Sequence, residues 1–263
     1  LSGNILDSIS TKIRIVTLST ILAGIIIYFI ATPRSRVEII ANNLVGEKWY
    51  EIHMGKNQIG YMRNVVAHTE NGDWRFVTTS YFDVLDNNPV TTSKALVFSQ
   101  LSPHPLIKAN YRTIKKSTDN EIRAELSDQH YSVSIRRGIE ESKKQYKWDF
   151  SLSDYLSIEL WLHSESPRIS DRKAGKTLDL EKLRVANRSY KIVDLNDRGY
   201  TIENASPISS TKIQLDKNYQ PLALTMAGIF KISASDKERA ISLSKIASKD
   251  NLLIPLDQRI INP

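Results

Sequence analysis

"WYEIHMGKNQIGYMRN", Trp49 to Asn64, sets two apolar-rich runs on either side of Gly55-Lys56-Asn57-Gln58. A second glycine, Gly60, stands inside the second run. Gly55 to Gly60 has the G-x-x-x-x-G spacing of a phosphate loop, which needs a lysine and a Ser/Thr hydroxyl directly afterwards. Tyr61 and Met62 follow instead, so a nucleotide site is discounted. The stretch reads as a hairpin. Gly55 and Asn57 tolerate the positive φ of a tight turn, and Gly60 marks a bulge or a close backbone approach within the second strand.

Working outward, the same signals recur. Short runs that alternate, or that are rich in β-branched and aromatic residues, predict strands over 49–54, 59–67, 74–84, 94–100, 107–114, 121–126, 130–137 and 145–150. Asn71-Gly72-Asp73, Asp86-Asn87-Asn88-Pro89 and Thr118-Asp119-Asn120 supply the turns. The pattern breaks at "YLSIELWLH", Tyr155 to His163, where Ser153-Asp154 is placed to cap a helix. A strand is the alternative there. Pro167 and Ala174-Gly175-Lys176 close that section. Strands resume over 177–185, 189–195, 200–203, 212–215, 221–226 and 229–235, and a short helix is expected within 236–246. The expected fold is mainly β, an antiparallel meander forming a curved sheet or half-barrel, with one or two short helices.

Ahead of this body lies "IVTLSTILAGIIIYFIAT", residues 15–32, eighteen positions without a charge. That is near the lower limit for a helix that spans a bilayer. Lys12 and Arg14 stop it on one side and Pro33, Arg34 and Arg36 on the other, with Tyr28 and Phe29 at an interfacial position. Ala31-Thr32-Pro33 is a poor signal-peptide cleavage site. The run reads as a retained transmembrane helix behind a short cytoplasmic tail, 1–14, with the bulk of the chain in the periplasm of a bacterium. Residues 33–48 read as a juxtamembrane linker, with a short helix or linker at Val37 to Leu44. A β-rich domain follows over 49–250. Residues 251–263 read as a linker toward a further domain, since the chain begins with Leu1 and stops at Pro263 as a piece of something longer would.

Composition narrows the chemistry. The 263 residues carry a net charge of +7 and contain no cysteine. A thiol nucleophile, a cysteine-ligated metal and a disulfide framework are excluded. The basic pairs Lys115-Lys116, Arg136-Arg137 and Lys143-Lys144 lie close to Asp119, Glu140 and Glu141, so they read as solvated surface rather than a nucleic-acid stripe. His53, His68, His104, His130 and His163 show no metal-ligand spacing. Glu140-Glu141 and Asp149/Asp154 invite an acid–base reading, but neighbouring side chains on a strand point to opposite faces. No cofactor, metal or catalytic set is expected. The densest apolar patch outside the anchor is "YKWDFSLSDYLSIELWLH". Trp148, Phe150, Tyr155 and Trp161 are its candidates for a lipid or peptide cleft or an interface, and the competing reading makes them core.

Three segments carry a resemblance: "WYEIHMGKNQIGYMRN"; "IQLDKNYQPLALTMAGIFKISASDKERAI", Ile213 to Ile241; and "LLIPLDQRIINP", Leu252 to Pro263. Together they resemble the N-terminal, non-catalytic region of bacterial membrane-anchored transglutaminase-like proteins. That family's catalytic Cys, His and Asp belong to a core that would follow Pro263, so no catalytic residue is carried over. The resemblance implies an extracytoplasmic β-rich accessory domain on a membrane anchor. Three functions are therefore weighed. The first is a non-catalytic envelope protein whose β-rich domain binds other membrane or periplasmic proteins, as an accessory subunit of a larger complex. The second is the substrate-positioning part of a transglutaminase-like or peptidase enzyme, and the third a carrier of lipid or lipoprotein.

Overall fold

A computed structural model describes residues 35–83, 89–116, 118–205, 210–226 and 228–242. The expected membrane helix at 15–32 and linker at 251–263 lie outside them. No helix among the described residues is long and apolar enough to cross a membrane. The chain divides into two units between Ile39 and Ile40. Of the smaller, residues 35–39 are described. There Ser35 N–H donates to Glu38 Oε2 at 2.9 Å, and Glu38 N–H to Ser35 Oγ at 3.4 Å. This reciprocal capping box opens helix α1, Arg36–Leu44.

The larger unit is mainly β, a single curved sheet of fourteen antiparallel strands. One arm comprises β1 (Gly46–Met54), β2 (Asn57–His68), β3 (Trp74–Asp83), β4 (Pro89–Phe98), β5 (Leu106–Lys115), β6 (Thr118–Ser127), β7 (His130–Arg137) and β8 (Glu140–Tyr146). Two short helices follow, α2 (Leu152–Tyr155) and α3 (Ser157–Glu165). The other arm comprises β9 (Arg172–Asp179), β10 (Arg184–Asn196), β11 (Gly199–Ala205), β12 (Ser210–Leu215), β13 (Pro221–Met226) and β14 (Phe230–Ser235), with α4 (Lys237–Ser242) after it. Strands run in order within each arm, and β1 pairs with β14 to join them, from Trp49↔Ser235 to Met54↔Phe230.

The opening hairpin forms as its residues require. Met54 pairs with Asn57 around Gly55, whose φ is +61°. Further along, Ile52 pairs with Gly60 and His53 with Gln58, so Ile59 is the extra residue of a bulge. Gly60 also lies tight against β3: a Cβ there would overlap the Tyr81 carbonyl and stand 2.7 Å from Phe82 Cα. Bulge and close approach coincide at one residue.

Between the arms lies the core. Alternate residues of β3 to β7, including Trp74, Phe76, Leu96, Phe98, Leu106, Tyr131 and Val133, are buried, as period-2 patterning demands. The second arm comes over this face. Lys94 Nζ on β4 donates to Leu178 O on β9 at 3.4 Å, and Tyr111 hydroxyl on β5 to Glu181 beyond β9. On the second arm, Tyr190, Ile192, Ile202 and Leu215 bury against Trp161 and Leu162 of α3. Each such large apolar side chain, fully buried, is worth about 1.5–3 kcal/mol.

Several expected boundaries move. The strand expected over 145–150 starts at Glu140 and ends at Tyr146; its charged residues carry no apolar alternation because β8 is an exposed sheet edge, paired among the described residues with β7 alone. Ala174-Gly175-Lys176 is not a break but the middle of β9. A Cβ at Gly175 would stand 2.9 Å from Ser157 Oγ and 3.0 Å from the Tyr190 ring, so the glycine admits α3 close to the sheet. The strand expected over 177–185 is split by a turn, with Leu183 at φ +53°. The helical region is two helices, and Ser151 caps the first, with Asp154 as its reciprocal partner.

Candidate functional site

Strands β3 to β7 offer one face to the core and the other, together with β8, to an open trough of about 1080 Å³. Strand register sets its wall. Ala95, Asn110, Arg123, Ser134 and Lys143 are successive cross-strand neighbours, as are Arg112, Glu121 and Arg136 one step along. His68, Thr69, Glu70 and Asn71, from the end of β2 and the turn before β3, form part of its rim.

Most charges of this trough are tied to each other. Arg112 binds Asp119 through two parallel bonds, Nε to Oδ1 at 2.8 Å and Nη2 to Oδ2 at 2.7 Å. Arg136 Nη2 bridges Asp119 Oδ2 and Glu121 Oε2, both at 3.1 Å. Glu121 also accepts from Arg123 Nε at 2.9 Å and Asn110 Nδ2 at 3.0 Å. The Arg112 hydrogen bonds hold Asp119 below its ordinary pKa. Burial pushes Glu121 upward, but Arg123, Asn110 and Arg136 outweigh it and leave Glu121 lowered. Asp119 in turn raises Arg112, and Glu121 raises Arg136. Carboxylates held ionised in this way are poor proton carriers, and guanidinium groups do not release theirs.

Arg75 differs from these arginines. It is half-buried in the trough wall, its buried Nε has no hydrogen-bond partner, and burial and the Arg63 charge lower its pKa. Asn110 Oδ1 is likewise buried and unpartnered.

A smaller cavity of about 370 Å³ lies at the β1–β14 seam. There Glu51 accepts from Ser235 Oγ at 2.7 Å, contacts His53 Nε2 at 2.9 Å and pairs with Arg239 Nε at 3.2 Å. The His53 hydrogen bond leads the causes that lower its pKa. Serine, histidine and carboxylate thus meet, but the serine hydroxyl bonds the carboxylate and not the imidazole. Nucleophilic catalysis requires a serine–base contact, and this cluster lacks it. No group of three or more His, Asp or Glu among the described residues converges as a metal site.

The four aromatic candidates are divided. Phe150 and Tyr155 pack on Phe98, Tyr155 also on Phe76, and Trp148 on Tyr131 and Tyr146. Trp148 donates Nε1–H to Leu183 O at 3.1 Å. Trp161 lies apart, in the cluster of the second arm. Trp148, Phe150 and Trp161 are buried and Tyr155 half-buried, and neither cavity is lined by them. Of the carboxylates singled out above, Asp149 pairs with Lys176 at 2.8 Å, Asp154 serves the cap of α2, and Glu141 accepts from Ser134 Oγ at 3.0 Å.

Sequence reasoning missed Glu159. On α3 it is half-buried, near Tyr155 and Tyr190, and burial raises its carboxyl to about 7. Its signal is a lone acid inside the apolar run "SIELWL". Arg75 carried no signal, because its lack of a partner is a property of the fold.

No known protein family and no curated protein matches this chain. Two solved structures are similar in outline. One is a β-barrel-like protein of the domain of unknown function DUF1849 from Brucella abortus, at 12% identity and a TM-score of 0.46, over 72% of this chain and 94% of that one. The other is a DUF1089 family protein from Pseudomonas aeruginosa, at 9% identity and a TM-score of 0.36, over 64% of this chain and 89% of that one.

Proposed function

We propose that this chain is a non-catalytic, membrane-anchored protein of the bacterial cell envelope, whose β-rich domain recognises another protein. In this reading the charge-free run 15–32 holds it in the inner membrane, the bulk is periplasmic, and the protein serves as an accessory subunit of a larger membrane complex. One observation carries the reading: strands β3 to β8 form an open trough of about 1080 Å³ with a wall of fixed ion pairs. Fixed, complementary charge fits partner selection and orientation better than chemistry. The test is extraction of the full chain from membranes in mild detergent, followed by copurification. A stoichiometric partner, lost when Arg112 and Arg136 are both changed to Ala, is the expected result. A chain that always runs as a lone monomer refutes the proposal.

A further inference from the structure

Among the described residues, Arg75 is a half-buried cation of the trough that the fold leaves without a carboxylate. Arg112, Arg123 and Arg136 are paired through Asp119 and Glu121, and Lys108 is paired with Glu125 at 3.1 Å. Lys143 stands exposed in solvent, where a lone ammonium costs nothing. Arg75 has neither remedy. Its Nε is buried without a partner, and the like charge of Arg63 acts on it unfavourably. Holding a guanidinium in this state is unfavourable for the isolated domain. The cost is recovered if a carboxylate from outside docks there, since a planar guanidinium binds carboxylates through paired, charge-assisted hydrogen bonds.

A second orphan lies in the same trough. Asn110 spends Nδ2–H on Glu121, but its Oδ1 is buried and accepts nothing. The occupant therefore needs an anionic group for Arg75 and an N–H or O–H donor for Asn110. Register gives the spacing. Arg75 faces Val97 on β4, and Asn110 faces Ala95, so the two lie two strands and two positions apart. Strand spacing and rise make that about 12 Å between Cα atoms. An extended peptide covers this distance in about four residues, offering a carboxylate at one end and a backbone N–H at the other. The trough's open form suits such a segment, and its wall carries six Lys or Arg against four Asp or Glu.

We infer that Arg75 and Asn110 form the reading corner of the trough, and that its occupant is an acidic, extended segment of a partner protein. This rests on the recognition function proposed above and names the chemistry of the partner.

The test uses the full chain in detergent micelles and a capped, fluorescein-labelled peptide of alternating glutamate and serine, about ten residues long, followed by anisotropy at fixed ionic strength. The glutamate peptide binds, and its glutamine counterpart does not. Arg75→Met weakens binding about ten- to a hundredfold, the size expected for lost hydrogen bonds to a charged group. Arg75→Lys keeps the charge but not the fork, and falls between wild type and Arg75→Met. Asn110→Ala weakens binding several-fold, and Lys212→Ala, an exposed cation on β12, leaves it unchanged. Three results overturn the inference: binding that ignores Arg75, equal loss from Lys212→Ala, or full displacement by inorganic phosphate at matched ionic strength, which marks a small-anion site. A chain that keeps its copurifying partner but ignores the peptide and the Arg75 changes refutes this inference alone and leaves the recognition function standing.

Discussion

Glu159→Gln separates the energetics of the interior from those of the surface. The Glu159 carboxyl titrates at about 7 in the folded chain instead of the ordinary 4.5, because burial disfavours its charge. A raised carboxyl pKa favours the protonated native state. The contribution of Glu159 to stability is therefore greatest below pH 4.5, falls as pH rises from 4.5 to 7, and is level above that. Each pH unit between the two values is worth about 1.4 kcal/mol, or about 3 kcal/mol in all. Glu159 keeps part of its surface in water, which trims the working figure to about 2 kcal/mol. Glutamine retains the size and polarity without the charge. In urea denaturation of the full chain, Glu159→Gln raises the midpoint at pH 8 by about 1 M, for a slope of about 2 kcal/mol per molar. At pH 4 the two proteins unfold together. A gain of the same size at both pH values, or none at pH 8, refutes the assignment of Glu159 to a desolvated site.

Other consequences are as direct. Gly60→Val forces β2 away from the Tyr81–Phe82 backbone and costs about 3 kcal/mol of stability, read as a lower urea midpoint; an unchanged midpoint removes the close approach. Asp119→Asn removes the charge and one of the two acceptor oxygens, so the paired bonds of Arg112 and the bond from Arg136 no longer all form, at a cost of about 1–2 kcal/mol near neutral pH. Because the Asp119 pKa is lowered in the fold, its contribution is complete above the unfolded value of 3.8 and disappears as pH falls through the lower folded value. The variant's deficit therefore vanishes in acid, a pH dependence opposite to that of Glu159.

The sheet was legible in the sequence wherever one strand face is buried and the other solvated. His130–Arg137 and Pro221–Met226 coincide with the expected strands, since alternation and flanking turns mark both. Legibility failed where tertiary packing replaced local pattern. The charged β8 has no apolar face to display, and Gly175 imitates a turn while serving a helix that crosses it. The aromatic segment was visible as apolar, but whether a rich patch lines a cleft or fills a core depends on what is laid over it. The trough was nearly invisible. Arg112, Asp119, Glu121, Arg123 and Arg136 lie on three strands, and cross-strand register alone makes them one network. A missing partner, as at Arg75, leaves no trace in the chain at all.

The seam between β1 and β14 has a kinetic consequence. Every other strand pairs with a sequence neighbour, so each arm can assemble from hairpins, whereas the seam brings Glu51 to Ser235, 184 positions away. Closing that loop entails a large entropy loss before any contact rewards it, and such long-range pairings form slowly. The two arms then fold early and independently, and the seam acts as a late clasp. In pulse-labelled hydrogen exchange, amides of β5–β7 gain protection before those of β1 that point to β14. During synthesis, the first arm waits, with one side of β1 unpaired, until β14 has emerged from the ribosome.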